Sequence, residues 1–192
     1  MSQIAQVPDL PRLTNPIGVN LVIDRIQTAL KDKIPYLQKS LPRVYRKHQI
    51  RNDGTGNTRY FAPFLYLENR QYFNVEPDTT ISCFCFWHVL DTETLGFYNR
   101  KSASVNLIVF GNYELINPAL DELFLGQVEN DFSEVLRTRE GEIINSYDIE
   151  YGVQEAFDEF DYTDFNQDFS ILENNFALKF NLDLAYVDVC TP

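Results

Sequence analysis

Hydrophobic residues recur along the chain at two spacings, one typical of helices and one typical of strands. The first helical stripe has apolar residues three or four positions apart: Val19, Val22, Ile23, Ile26 and Leu30. This pattern predicts an amphipathic helix that ends near Lys33, before Pro35. Asn15 is a favourable N-cap residue and Pro16 fits the first helical position, so we expect the helix to begin there.

A second helical stripe predicts another long helix between residues 117 and 141. Its apolar residues recur every four positions: Leu120, Phe124, Val128, Phe132 and Leu136. Asn117 is the expected cap and Pro118 the expected first residue, while Gly141 can end the helix.

Apolar and alternating runs predict strands between and after these helices. Residues 61–77 and 102–111 read as strands, and residues 79–90 are apolar on both faces. In that run Ile81, Cys83, Cys85 and Trp87 would share one face and Phe84 and Phe86 the other, as in a central strand covered on both sides or by a neighbouring subunit. The segment 173–189 alternates, with Phe176, Leu178, Phe180, Leu182, Leu184 and Tyr186 on one face, which predicts a half-buried strand of about ten residues.

The order of helix, strands, helix, insertion and strand predicts an α+β fold. We expect an antiparallel or mixed sheet of about four strands with two helices packed on one face, plus long loops. Residues 1–192 would form a single domain, since a domain commonly has about 150 residues. Three segments fall outside the predicted core: an extended N-terminal arm (1–15), a basic loop region (35–58) and an acidic insertion (142–173).

Charge is distributed unevenly along the chain, whose net charge is −12. Residues 1–60 carry ten Lys or Arg and four Asp, whereas residues 61–192 carry six Lys or Arg and 24 acids. Such asymmetry indicates an interaction arm or a head-to-tail preference between partners. The acidity of the larger part argues against a nucleic-acid-binding body, which needs clustered Lys and Arg.

The basic segment is one candidate subunit or partner interface. Its cations are Lys39, Arg43, Arg46, Lys47 and Arg51. Three interpretations stay open: a solvated face, a contact with an acidic protein neighbour, and a contact with the DNA backbone in which Tyr45 would stack on a base.

The acidic segment is the second candidate interface. Its members are Asp158, Glu159, Asp161 and Asp164. Calcium favours carboxylate oxygens, but an EF-hand loop starting at Asp158 would place Thr163 and Phe169 where Gly and Glu are required. We therefore expect a solvated acidic loop whose aromatic residues dock on the sheet or on a partner, and no metal.

The sequence contains no catalytic motif on which an enzyme could be proposed, and we expect no cofactor. Cys83, Cys85 and Cys190 suggest a reducing compartment, the first two as small buried apolar residues. A metal clamp at this pair would need more ligands than His48 and His88 supply, and we expect His88 to be structural. We also expect neither a signal peptide nor a membrane segment.

The order of elements resembles tailed-bacteriophage tail-terminator and tail-completion proteins of the neck, or head–tail connector. The resemblance rests on the first amphipathic helix, the strand meander, the helix opened by Asn117–Pro118 and the final strand FALKFNLDLAYVDV. It covers residues 15–137 and 174–190 and departs from the family at 35–58 and 142–173.

The resemblance implies a structural virion protein, made in the host bacterial cytoplasm, that assembles as a homo-oligomeric ring. The ring would join the portal or adaptor to other neck and tail proteins and would surround the DNA channel, with an acidic lumen along which DNA slides. No catalytic, metal or cofactor residue follows from it. The alternatives are a component of a non-phage contractile injection system and a small soluble binding or catalytic α+β domain.

Overall fold

Seven strands form one mixed sheet in the described part of the chain. The computed structural model describes residues 3–52, 56–67, 71–95, 100–117, 124–138, 144–160 and 174–187. The strands are β1 (Lys39–Asn52), β2 (Asn57–Leu67), β3 (Gln71–Asn74), β4 (Cys83–Leu95), β5 (Arg100–Asn112), β6 (Ile144–Tyr151) and β7 (Asn175–Val187). Their order is β3-β2-β1-β4-β5-β7-β6; β1 runs parallel to β4 and every other pair is antiparallel.

Two long helices cover one face of this sheet, as the sequence predicts. They are α1 (Val19–Lys33) and α3 (Phe124–Arg137), and two single-turn helices are α2 (Tyr113–Ile116) and α4 (Val153–Ala156). The apolar stripes of α1 and α3 pack on one side of the central strands, including Trp87 of β4 and Phe180 of β7. The α+β class is thus confirmed. The described residues form seven strands instead of about four, because several strands have exposed or charged faces that lack the apolar pattern used to predict a strand.

Both faces of β4 are buried, which confirms that it is a central strand. Cys83, Cys85 and Trp87 face the helices, while Phe84 and Phe86 belong to a second core on the opposite face. That core also holds Phe110 of β5, and Phe157 and Phe160 of the turn after α4. Ile81 joins the second core instead of the Cys83 face, because it precedes the first residue of the strand.

The expected basic loop at 35–58 is wrong. Residues 39–52 form β1, which pairs with β2 from Val44↔Leu65 to Asn52↔Asn57. Pro42, which argues against a strand, lies where the register between β1 and β4 shifts between Ser40 and Arg43. A strand tolerates proline at such an irregularity because no ladder hydrogen bond from its nitrogen is required there.

The acidic insertion is in part regular structure as well. Residues 144–151 form the edge strand β6, and α4 and a turn continue to Phe160; residues 161–173 lie outside the described residues.

The predicted helix boundaries also differ from the structure. Helix α1 begins at Val19 because Gly18 precedes it with a φ of 57°. Asn117 is the C-cap of α2, and residues 118–123 lie outside the described residues.

The N-terminal segment is not a free arm in its described part. Val7 is buried in the second core, and the backbone N–H of Ser40 donates to the carbonyl of Asp9 at 2.8 Å. The Lys39 ammonium is buried and donates to the Val7 carbonyl and to Asp9. These contacts hold the segment against β1 of its own chain.

Candidate interaction surfaces

A surface of alternating cations and rings lies on the outer strands β1, β2 and β3. We call it the basic–aromatic surface and define it as Arg43, Tyr45, Lys47, Phe64, Tyr66 and Tyr72. Side chains alternate along a strand, so 43, 45 and 47 share one face of β1. The pairs Tyr45↔Phe64 and Tyr66↔Tyr72 place the other rings on that same face.

The cations of this surface are held against its rings. The Lys47 ammonium lies 4.6 Å from the ring centroid of Tyr72 and 5.2 Å from that of Phe64, and the Arg43 guanidinium lies 4.9 Å from that of Tyr45. The rings of Tyr66 and Tyr72 stand 4.9 Å apart. Cation–π attraction favours these positions, so positive charge and aromatic area are presented together.

Much of this surface is open to solvent. Tyr45, Tyr66 and Tyr72 are 42%, 36% and 53% exposed. Tyrosine and arginine are the residue types enriched in the energetically important centres of protein interfaces. The basic–aromatic surface therefore exposes residue types that binding surfaces use.

The other predicted cations have different environments. Arg46 faces the opposite side of β1, where its guanidinium lies 3.8 Å from the ring centroid of Phe61. Lys39 is buried beneath the N-terminal segment, where its ammonium donates to the Val7 carbonyl. Arg51 lies in β1, and its side chain is outside the described residues.

At the other end of the sheet, a buried lysine organises a group of carboxylates. The Lys179 side chain on β7 is 4% exposed, and its Nζ lies 2.8 Å from Glu150 Oε2 and 2.8 Å from Asp158 Oδ1. These bonds to carboxylates raise the pKa of Lys179 although burial opposes the shift. The hydrogen bond from Lys179 also lowers the pKa of Glu150, and one from Asn181 adds to the effect.

Further polar residues of β5, β6 and β7 extend this group. The Asn181 amide donates to Asp148 at 2.9 Å and to Glu150 at 2.8 Å. Asp183 accepts from the hydroxyls of Ser104 and Ser146 on its two neighbouring strands. We call Asp148, Glu150, Asp158 and Asp183 the acidic surface.

The charged residues on the strands lie on opposite faces of the sheet: Arg43 and Lys47 on the helix side of β1, and Asp148, Glu150 and Asp183 on the other side of β6 and β7. Arg43 pairs in register with Trp87, whose side chain faces the helices, so the cations of the basic–aromatic surface are on the helix side. Glu150 pairs with Lys179, which follows Leu178 of the helix-side core and therefore points to the other side. Four strand spacings, about 19 Å at 4.8 Å each, separate β1 from β6.

His88 is buried where β4 passes beneath the turn that carries Asp158. Its ring lies 5.0 Å from that of Phe160. Burial lowers the pKa of His88 to about 4; Arg43 and Arg46 add to this shift and Asp158 opposes it. The imidazole is therefore neutral at pH 7, consistent with a structural role.

The described residues offer no centre for metal or thiolate chemistry. Among them, no group of three or more His, Cys, Asp or Glu could hold a metal ion. Cys83 and Cys85 are buried, and burial raises the pKa of both thiols, that of Cys85 to about 12. In the described part of the chain, no helix is long and apolar enough to cross a membrane.

A groove of about 470 Å³ lies between α1 and α3. Its lining includes Ala29, Val135, Asp131 and Glu134. The Asp131 carboxylate is already engaged, since it accepts from the Tyr36 hydroxyl at 2.8 Å and from the Gln127 amide at 2.6 Å. Burial and this hydrogen bond raise the pKa of Tyr36, so its hydroxyl stays protonated.

Sequence reasoning found part of each surface. Arg43 and Lys47 belong to the basic–aromatic surface and Asp158 to the acidic one; Glu159 is half-buried, and Asp161 and Asp164 lie outside the described residues. Tyr66, Tyr72 and Lys179 are further residues of these surfaces that were not predicted from the sequence. The lysine in the alternating segment FALKFNLDL was the available signal, because a cation on the less apolar face of a central strand needs an anionic partner.

Comparison of the chain with protein-family models, with curated protein sequences and with solved structures finds no match.

Proposed function

We propose that this protein is a structural subunit of a homo-oligomeric ring at the neck of a tailed bacteriophage. In this proposal the ring joins the portal or adaptor to the tail and encircles the DNA channel, and the protein is a component of the virion.

The observation that carries the proposal is the separation of charge along one sheet. On the helix side β1 presents Arg43 and Lys47 beside aromatic rings, whereas β6, β7 and the turn after α4 present Asp148, Glu150, Asp158 and Asp183. Two identical charged surfaces repel, so an isologous contact through either one is disfavoured. Unlike surfaces on one chain favour a heterologous, head-to-tail contact, which generates a closed ring when its rotation closes.

The aromatic content of the basic strands adds apolar area to this electrostatic attraction. Charge alone on an exposed surface contributes little affinity and is screened by salt. Tyr45, Tyr66 and Tyr72 offer ring area whose burial is favourable in water. The proposed contact therefore combines orientation by charge with affinity from the rings.

The test is the mass of the purified 192-residue chain in solution, followed by electron microscopy. We expect ring-shaped particles at about 0.1 M salt and a larger fraction of the 22.4 kDa monomer at about 1 M, because the attraction between charges is screened as the Debye length falls from about 10 Å to about 3 Å. A protein that stays monomeric at high concentration and low salt would overturn the proposal.

The place of the ring is tested separately in particles from the source of the sequence. Antibody-labelled particles should show density at the junction between head and tail. Label confined to another structure, or absent from particles, would contradict the neck assignment while leaving ring formation intact.

A further inference from the structure

We infer that the basic–aromatic surface binds the acidic surface of a second copy, so that each subunit partly overlaps the next one. This inference rests on the proposed function and specifies which two surfaces meet. The occupant is a second copy of this chain.

The placement of the two surfaces gives the geometry of the contact. The cations of one surface are on the helix side of β1, and the carboxylates that β6 and β7 contribute to the other are on the opposite side of the sheet. When one sheet end lies over the opposite end of the next copy, the helix side of one chain meets the non-helix side of its neighbour. Each copy then makes two contacts, one with its basic–aromatic surface and one with its acidic surface.

The side chains on the acidic surface are already positioned for such a contact. Asp148 and Glu150 accept from one Asn181 amide, and Asp183 is held by two serine hydroxyls. Fixed side chains lose less conformational entropy on association than free ones do. Because Lys179 offsets only one negative charge of four carboxylates, the surface stays anionic.

The basic–aromatic surface has the complementary character. Lys47 and Arg43 supply the cations, and the adjacent tyrosines supply hydroxyl groups for hydrogen bonds to carboxylates. Aromatic rings are the close neighbours of Arg43 and Lys47 among the described residues. A negatively charged partner would gain attraction at these two cations.

Charge reversal on each side separately tests the pairing. The basic-side variant is Arg43→Glu with Lys47→Glu, and the acidic-side variant is Asp148→Lys with Asp183→Lys. Either variant alone should be monomeric, because both of its surfaces then carry the same sign. Mixed in equal amounts, the two should recover oligomers, since each reversed surface now complements the reversed surface of the other.

The matched controls are Arg25→Glu and Asp32→Lys, exposed positions on α1 that lie outside both surfaces. These should assemble as the wild type does. Circular dichroism and thermal unfolding establish that each variant folds, and the single variants Lys47→Glu and Asp148→Lys replace any double variant that does not. In the mixture the two variants must alternate, because only unlike variants have complementary surfaces. A ring with an even number of subunits can therefore close, whereas an odd number gives open arcs of high mass.

The outcomes distinguish this inference from the proposed function. Two results would overturn the pairing of these surfaces but keep the ring, provided that the wild type forms rings. One is that the charge-reversal variants assemble normally, and the other is that their mixture stays monomeric. Monomeric wild type would overturn both. A basic-side variant that assembles normally but loses binding to a labelled single-stranded oligonucleotide would assign the surface to nucleic acid instead of a second copy.

Discussion

The ammonium of Lys179 on β7 is bonded to the carboxylate of Asp158 in the turn that follows α4, at 2.8 Å. This ion pair fixes the turn over the second core, where Phe157 and Phe160 pack on Phe86. One pair of residues 21 positions apart thus joins the acidic surface to the burial of the central strand.

Removing both carboxylates should destabilise the protein more than removing the lysine. Glu150→Gln with Asp158→Asn leaves a buried ammonium without a counter-charge, at a cost of about 3 kcal/mol. Lys179→Met leaves two carboxylates that are 40% and 50% exposed and can be hydrated, at a cost of about 1 kcal/mol. Urea unfolding at pH 7 measures both, with Asp148→Asn as the control on the same strand; a larger loss in Lys179→Met would contradict the assignment.

His88 should make the protein less stable as the pH falls through the weakly acidic range. Burial lowers its pKa from 6.5 to about 4, so the unfolded chain takes up a proton at this position before the folded one does. The contribution of His88 to the free energy of unfolding is therefore complete above pH 6.5. It is lost between pH 6.5 and about 4, by an amount of the order of 3 kcal/mol.

His88→Phe, which keeps an aromatic ring beside Phe160, should flatten the stability curve in that interval. Unfolding by urea at a series of pH values provides the measurement. Glu150 also loses its contribution in acid, because its pKa is lowered in the folded state, but only below the ordinary value of 4.5. An unchanged slope between pH 6.5 and 5 in the variant would show that another group is responsible.

Two glycines should respond oppositely to alanine. A Cβ on Gly111 of β5 would meet the ring of Phe176 and would lie 2.8 Å from the carbonyl oxygen of Ser82, so Gly111→Ala should cost about 1–3 kcal/mol. A Cβ on Gly126 of α3 would meet nothing within 4 Å, and Gly126→Ala should stabilise the helix by about 1 kcal/mol. Thermal unfolding compares them, and equal effects would contradict the packing described.

Lys39→Met should loosen the N-terminal segment while leaving the sheet intact. The Lys39 ammonium is bonded to the Val7 carbonyl and to Asp9, and its loss removes the polar contacts that hold this segment to β1. Hydrogen exchange at the Ser40 amide, which donates to the Asp9 carbonyl, should become faster. The Gln38 amide donates to Cys83 and serves as the internal reference that should not change; equal acceleration at both would indicate global destabilisation instead.

The sequence by itself determined the elements that bury a complete stripe or face. The stripes of α1 and α3 and the two-sided burial of β4 could be predicted, because contact with the core requires apolar residues at the helical or strand period. The alternation in β7 and the charge imbalance between the two parts of the chain were also evident from the sequence alone.

Only the tertiary structure decided where β1 and β6 lie and which side chains face each other. β1 carries Pro42 and five cations, and β6 carries carboxylates on the face away from the helices, so neither has the apolar content typical of a buried strand. The pairing of β1 with β4 is long-range and parallel, and no local pattern encodes it. Whether Lys47 lies beside Tyr72, or Lys179 beside Asp158, depends on that strand order, because register and the order of strands bring together residues that the chain keeps apart.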